Sequence, residues 1–411
     1  MNLRWSQVAA WVAVGMVSAV SVAAQKTAPP KPAAAADWVQ AWYSPPFPPT
    51  AVLSPGDIRI YARQTVRQVL RLEAGGERLR VRLTNELGLT PVKIGSVHVA
   101  RSSPNGVTEP ETDHILTFNG RQDAEIPVGQ ALVSDPVDMT VVAFDDLSIS
   151  VFYPERLAPS GHLLNVRVSA RGDHGAESLW PDSSMGRGPA LASGVEVQAR
   201  AARHVLVAFG DSITEGAGAT PGTNLDWPEQ FARRLAAHGL AKDWVVINSG
   251  IGGNRLLHEG SGPKALDRFD RDALQLTGVS AIVLLEGIND IGWAFDPDGD
   301  SGPLTAADIE GAYQQLIARA HARGVKIYGG TLDPYEGAKY SHPEGEAVRE
   351  AVNQWIRTSG AFDGVIDFDQ AVRDPQHPTR YLGADQSGDS LHPNDAGYRA
   401  MSEAVDPKWF P

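Results

Sequence analysis

No cysteine occurs in the 411 residues, which excludes disulfides, thiol nucleophiles and thiolate metal sites. Positive charge is scarce too. The 36 Lys and Arg are outnumbered by 49 Asp and Glu, for a formal net charge of −13. Without a basic excess to release counterions, nucleic acid and anionic membrane surfaces are not expected partners. Metal-ligand spacings such as His-Glu-x-x-His are missing, and His204, His238, His258, His321, His342 and His377 stand in surface or helical contexts. Neither a metal nor any other cofactor is therefore expected. No internal repeat is present.

Long apolar runs are confined to one place. From Val8 to Ala24 the chain is apolar or small and uncharged, after a start that carries only Arg4, and Val22-Ala23-Ala24 before Gln25 fits a small-residue cleavage site. Residues 1–24 are expected to be a signal peptide, with an uncleaved anchor as the alternative. An exported protein, periplasmic or secreted and without stable membrane insertion after cleavage, follows from that reading. Residues 25–36 are a Pro/Ala linker too poor in large apolar groups to fold.

The whole chain has an ordinary globular composition, 42% hydrophobic and 21% charged, and is long enough to predict two domains. From 37 to about 200 the pattern is β. Val69, Leu70 and Leu72 lead through Gly75-Gly76 to Leu79, Val81 and Leu83, which alternate with Arg80 and Arg82, the signature of a half-buried hairpin. Similar runs recur at Val92–Ala100, Met139–Phe144, Leu147–Tyr153 and Val166–Ala170 between turn-forming clusters, which predicts a jelly-roll-like β-sandwich. The arginine face is expected to be solvated; an acidic polysaccharide is the alternative partner for it.

From 201 to 411 the period changes. Ile309, Tyr313, Leu316, Ile317 and Ala320 fall on one helical stripe between a capping Thr305 and a stop at Gly324. Strand follows at Val325–Tyr328, helix at Pro343–Ser359 and strand at Val365–Ile366. The alternation predicts a parallel sheet covered by helices on both faces.

Chemistry is concentrated at the ends of apolar runs. Val205-Leu206-Val207 leads into Ala208-Phe209-Gly210-Asp211-Ser212, a serine in a sharp glycine-bounded turn, where a nucleophile would sit. An alcohol is weakly nucleophilic unless a base takes its proton and donors hold the oxyanion. Asp389-Ser390-Leu391-His392 offers a carboxylate and an imidazole three residues apart. Val245-Val246-Ile247 precedes Asn248-Ser249-Gly250-Ile251-Gly252-Gly253, and Ala281–Leu285 precedes Glu286-Gly287-Ile288-Asn289-Asp290. Singly, these are a polar turn, a positive-φ glycine, a helix cap and a structural hydrogen bond. Together they follow one order along the chain, three of them where open α/β sheets bind ligands.

These ordered blocks resemble the GDSL or SGNH hydrolase superfamily, with Ile213 in place of the leucine that the first name quotes. Trp38–Tyr43, Val66–Val69, Arg80–Asn85 and Thr331–Gly337 are similar to its two-domain branch of exported bacterial esterases, resembling the xylanase-linked acylhydrolases. The resemblance implies an SGNH fold with a flavodoxin-like sheet and a serine esterase mechanism. It further implies Ser212 as nucleophile, His392 as base oriented by Asp389, and an oxyanion hole formed by the amides of Ser212 and Gly253 with the Asn289 side chain. It implies a small-molecule or polysaccharide ester substrate, here read as short acyl groups on plant carbohydrate. The alternatives are a lipase or arylesterase, or a non-catalytic carbohydrate-binding protein. Trp227, Arg255, Trp293, Phe295 and Tyr335 are candidates for the substrate pocket, with the core as the alternative for each.

Overall fold

The computed structural model describes residues 37–49, 57–58, 60–199, 203–297, 299 and 302–410. The signal and linker expected over 1–36 lie outside the described residues. In the first half, alternating side chains pair into two antiparallel sheets. One joins Asp37–Tyr43, Ala192–Ala199, Gly76–Asn85 and Gln130–Val133, with Val137–Val141 also on Gly76–Asn85. The other runs Ser184–Ala190, His162–Arg171, Tyr61–Arg71, Asp146–Leu157, Ser96–Arg101 and His114–Ile115. The inner faces meet on Val66, Leu79, Val81, Val97, Ile149 and Val195, all buried, as a sandwich does.

The hairpin expected around Gly75-Gly76 does not form. Tyr61–Arg71 and Gly76–Asn85 belong to different sheets, and the chain crosses the sandwich between them. Leu72 and Ala74 are fully buried in the crossing, and the Glu73 amide bonds to the Ala41 carbonyl at 2.7 Å. Period-2 patterning identifies each strand but not its partner, and these glycines allow close backbone approach rather than a tight turn: a Cβ on Gly75 would lie 2.7 Å from the Val141 carbonyl. The arginine face is ion-paired. Arg80 bonds to Glu196 on the neighbouring strand and lies 4.5 Å over the Trp38 ring, and Arg82 pairs with Glu86, just past the end of its own strand, at 2.8 Å.

In the second half, five apolar strands form a parallel sheet: β1 His204–Gly210, β2 Trp244–Gly250, β3 Val279–Leu285, β4 Lys326–Gly330 and β5 Gly364–Ile366, in spatial order β2-β1-β3-β4-β5. That is the flavodoxin-like order, whose switch point lies between β1 and its neighbours. Helices connect the strands. Ala306–Ala322 has a Thr305/Asp308 capping box, buries Ile309, Tyr313, Leu316, Ile317 and Ala320, and is followed by Gly324 at φ +70°. The fold is thus an SGNH-type α/β sheet preceded by a β-sandwich.

Residues 36–411 form one compact unit, and one apolar core continues from Val39 to Phe410. The first strand, Asp37–Tyr43, belongs to the sandwich yet is fastened to the other half, because the Gln40 amide donates to the Thr277 carbonyl at 3.1 Å and Tyr43 Oη donates to Asp272 at 2.7 Å. Among the described residues no helix is long and apolar enough to cross a membrane.

Candidate active site

The C-terminal ends of β1, β2 and β3 converge at the switch point and carry three of the four sequence blocks. Ser212 begins a one-turn helix, Ser212–Glu215, directly after β1, with the Asp211 carboxylate accepting the Ile213 amide at 2.9 Å. Folding closes the distance to the fourth block. Ser212 Oγ lies 2.8 Å from His392 Nε2, and His392 Nδ1 lies 2.6 Å from Asp389 Oδ2. A carboxylate facing Nδ1 fixes the proton there and leaves Nε2 free to accept one from the hydroxyl.

Asp389 is itself well held. Its Oδ1 accepts the amides of His392 at 2.9 Å and Leu391 at 3.0 Å, a tight turn that puts Ser390 at φ +60°. Partial burial acts to raise its pKa, but the hydrogen bonds from the His392 amide, the His392 ring and the Leu391 amide outweigh it and hold the carboxyl at about 2. Asp389 therefore stays ionised at any ordinary working pH.

The donor side of the site is built around Asn254, which sequence reasoning had passed over. Gly253 sits at φ +71° in the turn after β2, a conformation that strains any residue with a Cβ. Asn289 stands in the first turn of the helix Ile288–Phe295. Its Nδ2 donates to the Asn254 carbonyl at 2.9 Å, and its Oδ1 accepts the Tyr340 hydroxyl at 3.0 Å. A carbonyl can only accept, so this pair of bonds fixes which end of the amide is which. Asp290 does not serve as a helix cap. It accepts the amides of Leu256 at 2.6 Å and Leu257 at 2.9 Å, tying the turn after β2 to the helix after β3.

Beneath these groups the fully buried Arg268 donates to Asn254 Oδ1 at 2.7 Å, the Gly210 carbonyl at 2.7 Å and the Ser249 carbonyl at 3.0 Å. It thereby joins the ends of β1 and β2 to the loop that carries Gly253. Burial raises the nearby carboxyls, Asp211 to about 7 and Asp290 to about 6. Nothing in the local pattern Leu266-Asp267-Arg268-Phe269 distinguishes this arginine from one on the surface, and only the three-dimensional arrangement reveals it.

The five substrate-pocket candidates separate. Trp227 is a correction: it has no exposed surface and packs 5.3 Å from the Phe368 ring in the core. Arg255 is folded onto its own loop, bonded to the Glu259 carbonyl. Trp293 and Tyr335 flank Tyr340, with ring centroids 5.6 and 6.1 Å away. Tyr335 also lines a cavity of about 390 Å³ with Glu336, Ser341, His342, Pro343 and Glu346, and Phe295 stacks on His342 at 6.4 Å. Among the described residues no group of three or more His, Asp or Glu has a metal-holding arrangement.

Residues 208–400 match the model of the GDSL-like Lipase/Acylhydrolase family. No curated protein matches the chain. Among solved structures, it is similar to a lipolytic protein of the G-D-S-L family from Desulfitobacterium hafniense, at 19% identity over 49% of this chain and 97% of that one, with a TM-score of 0.37. It is also similar to a catalytic mutant of an acetylxylan esterase from Geobacillus stearothermophilus, at 20% identity over 49% and 91% with a TM-score of 0.39. A further similar structure is the acetyl xylan esterase AlAXEase, at 21% identity over 49% and 96% with a TM-score of 0.37.

Proposed function

Through residues 208–400 the chain belongs to the GDSL-like lipase/acylhydrolases of the SGNH superfamily and is a carboxylic ester hydrolase, and from that premise we propose that Ser212, His392 and Asp389 perform the hydrolysis on short acyl esters of a carbohydrate. The observation that carries the reading is the unbroken chain of contacts from Ser212 Oγ through His392 to Asp389, at 2.8 and 2.6 Å. His392 takes the hydroxyl proton as Ser212 Oγ attacks the ester carbonyl. The tetrahedral oxyanion is held by the Ser212 and Gly253 amides and by Asn289 Nδ2, whose amide the Asn254 carbonyl and the Tyr340 hydroxyl fix beforehand. His392 then protonates the departing alcohol, leaving an acyl-serine. Water repeats the sequence to release the acid and restore the hydroxyl.

The carbohydrate preference rests on the neighbourhood of the site. The segment Tyr335–His342 reaches Asn289 through Tyr340, and a Cβ on Gly337 would lie 3.0 Å from Ser390 Oγ in the turn that holds Asp389 and His392. The cavity on this segment is rimmed by Glu336, Ser341, His342 and Glu346, polar groups suited to hydroxyls. The large apolar side chains left exposed among the described residues, Leu382 excepted, all belong to the sandwich half. Export to the periplasm or medium, where such substrates occur, is part of the same proposal.

A chain-length series of nitrophenyl esters run beside acetylated xylan tests it. Acetate release from xylan and a rate falling from acetyl to octanoyl are expected; fastest turnover of octanoyl or longer esters with no acetate released from xylan overturns the carbohydrate reading in favour of a lipase.

Tyr340→Phe is expected to lower kcat on p-nitrophenyl acetate roughly tenfold, less than the 10²–10³ lost when an oxyanion donor is removed outright. Asn289 would keep its bond to Asn254 but lose the contact that fixes its other end. KM should change little, and steady-state kinetics separate the two parameters.

A further inference from the structure

We propose that the β-sandwich is a working part of the active site, with His162 as a positioning residue that holds the nucleophile turn and the oxyanion loop in register through Glu215. The inference rests on the esterase reading above and assigns the first half of the chain a role in that reaction.

His162 opens the strand His162–Arg171 of the six-stranded sheet and is buried. Its Nδ1 lies 2.7 Å from the Pro45 carbonyl and its Nε2 lies 2.9 Å from Glu215 Oε1. The Pro45 carbonyl can only accept, so Nδ1 donates to it. Nε2 is therefore the ring nitrogen that meets the Glu215 carboxyl, in a hydrogen bond whose imidazole side is buried.

Glu215 is placed to transmit that grip. The nucleophile helix is a single turn, Ser212–Glu215, so the residue held by the sandwich and the reacting serine are its last and first members. The Glu215 amide packs so closely on the end of β2 that a Cβ on Gly250 would collide with it, and a Cβ on Gly252 would lie 2.5 Å from Glu215 Oε2. Glu215 thus spans the serine turn and the glycine turn that carries Gly253.

A second contact from the sandwich half lands on the same loop. Phe47, 4.9 Å from the His162 ring, forms a small buried cluster with Ile251. The segment Pro45–Phe47 and the His162 side chain together press on the chain between β2 and Gly253. Neither His162 nor Phe47 lies within the matched residues 208–400, so this grip is an addition to the hydrolase half.

Positions of reacting groups matter steeply, since a displacement of about 1 Å can cost a hundredfold in rate. His162→Phe keeps a ring against Phe47 and removes both donors; it is expected to lower kcat on p-nitrophenyl acetate by roughly 10- to 100-fold, with KM within about twofold of wild type. Rates are to be taken per serine titrated with a fluorophosphonate, so that misfolded protein is not counted. His162→Gln retains an N–H toward Glu215 and should recover most of the loss, and Glu215→Gln should lower kcat in the same direction if the phenylalanine variant does not fold. A His162→Phe enzyme within about twofold of wild-type kcat overturns the proposal, as does a loss that appears in KM or that glutamine does not rescue. A wild-type protein that neither turns over the ester nor reacts with the phosphonate instead defeats the esterase reading.

Discussion

Ser212→Ala is expected to remove about 10⁴ to 10⁶ of kcat on p-nitrophenyl acetate, the range found when the nucleophile of a serine hydrolase is deleted. The hydroxyl is the only group lost, the proposed nucleophile that lies 2.8 Å from His392 Nε2. The turn itself does not depend on it, because the cap comes from Asp211, which bonds the Ile213 amide at 2.9 Å. The variant should therefore melt within a few degrees of wild type. Residual hydrolysis would come from Gly253, Asn289 and the serine-position amide, which still polarise a bound ester toward attack by water. A phosphonate that labels wild type should leave the variant unlabelled. Retention of activity within tenfold of wild type would mean that another group attacks the ester.

How much of this was legible beforehand depended on whether the signal was local. Each of the five parallel strands is a short apolar run, and a doubly covered sheet requires just that, so the α/β half could be read with boundaries shifted by a residue or two. Ser212, Gly253, Asn289, Asp389 and His392 could be picked out because each stands at a strand end or in a tight turn, and folding brings Ser212, His392 and Asp389 into hydrogen-bond contact. The apparent hairpin at Gly75-Gly76 failed for the opposite reason. Alternation in Leu79, Val81 and Leu83 reports a half-buried face, and nothing in it records that the preceding strand pairs in the other sheet. Trp227 stayed open between pocket and core because a large aromatic next to such a block looks the same in sequence whether it turns inward or toward a ligand, and the structure buries it. Tyr340, His162 and Arg268 act on residues 51, 53 and 58 positions away, and no local pattern encodes such pairings.

Arg268→Met is expected to destabilise the fold by about 3–5 kcal/mol, the range for removing one member of a buried, hydrogen-bonded charge network. The guanidinium has no exposed side-chain surface and lies 4.0 Å over the Phe209 ring. Its nearest formal charges are Asp272 at 3.5 Å and Glu286 at 3.7 Å. These carboxyls are unequal. Burial raises Glu286 well above the usual range, with Asp211 and Asp290 adding to the effect, whereas the burial of Asp272 is outweighed by Arg271 and Arg268, which hold it low. Asp272 is thus the carboxylate opposite Arg268, and it would keep Arg271 at 2.6 Å after the substitution. The greater loss falls on the acceptors. The Ser249 carbonyl and Asn254 Oδ1 would lose this donor inside the protein, at about 1–3 kcal/mol each before relaxation, while the Gly210 carbonyl would keep only the Ile251 amide at 3.0 Å. Lysine should not rescue the arginine, because a single ammonium cannot reproduce a planar fork addressed to three acceptors. Glu286→Gln should be far milder, replacing a carboxyl that burial already favours in its neutral form. Urea unfolding of the three variants checks the order, and an Arg268→Met midpoint that gives a loss below about 1 kcal/mol would refute the network's structural role. Activity should fall with stability in the same variant, because Asn254 links Arg268 to Asn289 and a loosened Asn254 carbonyl releases the amide proposed as an oxyanion donor.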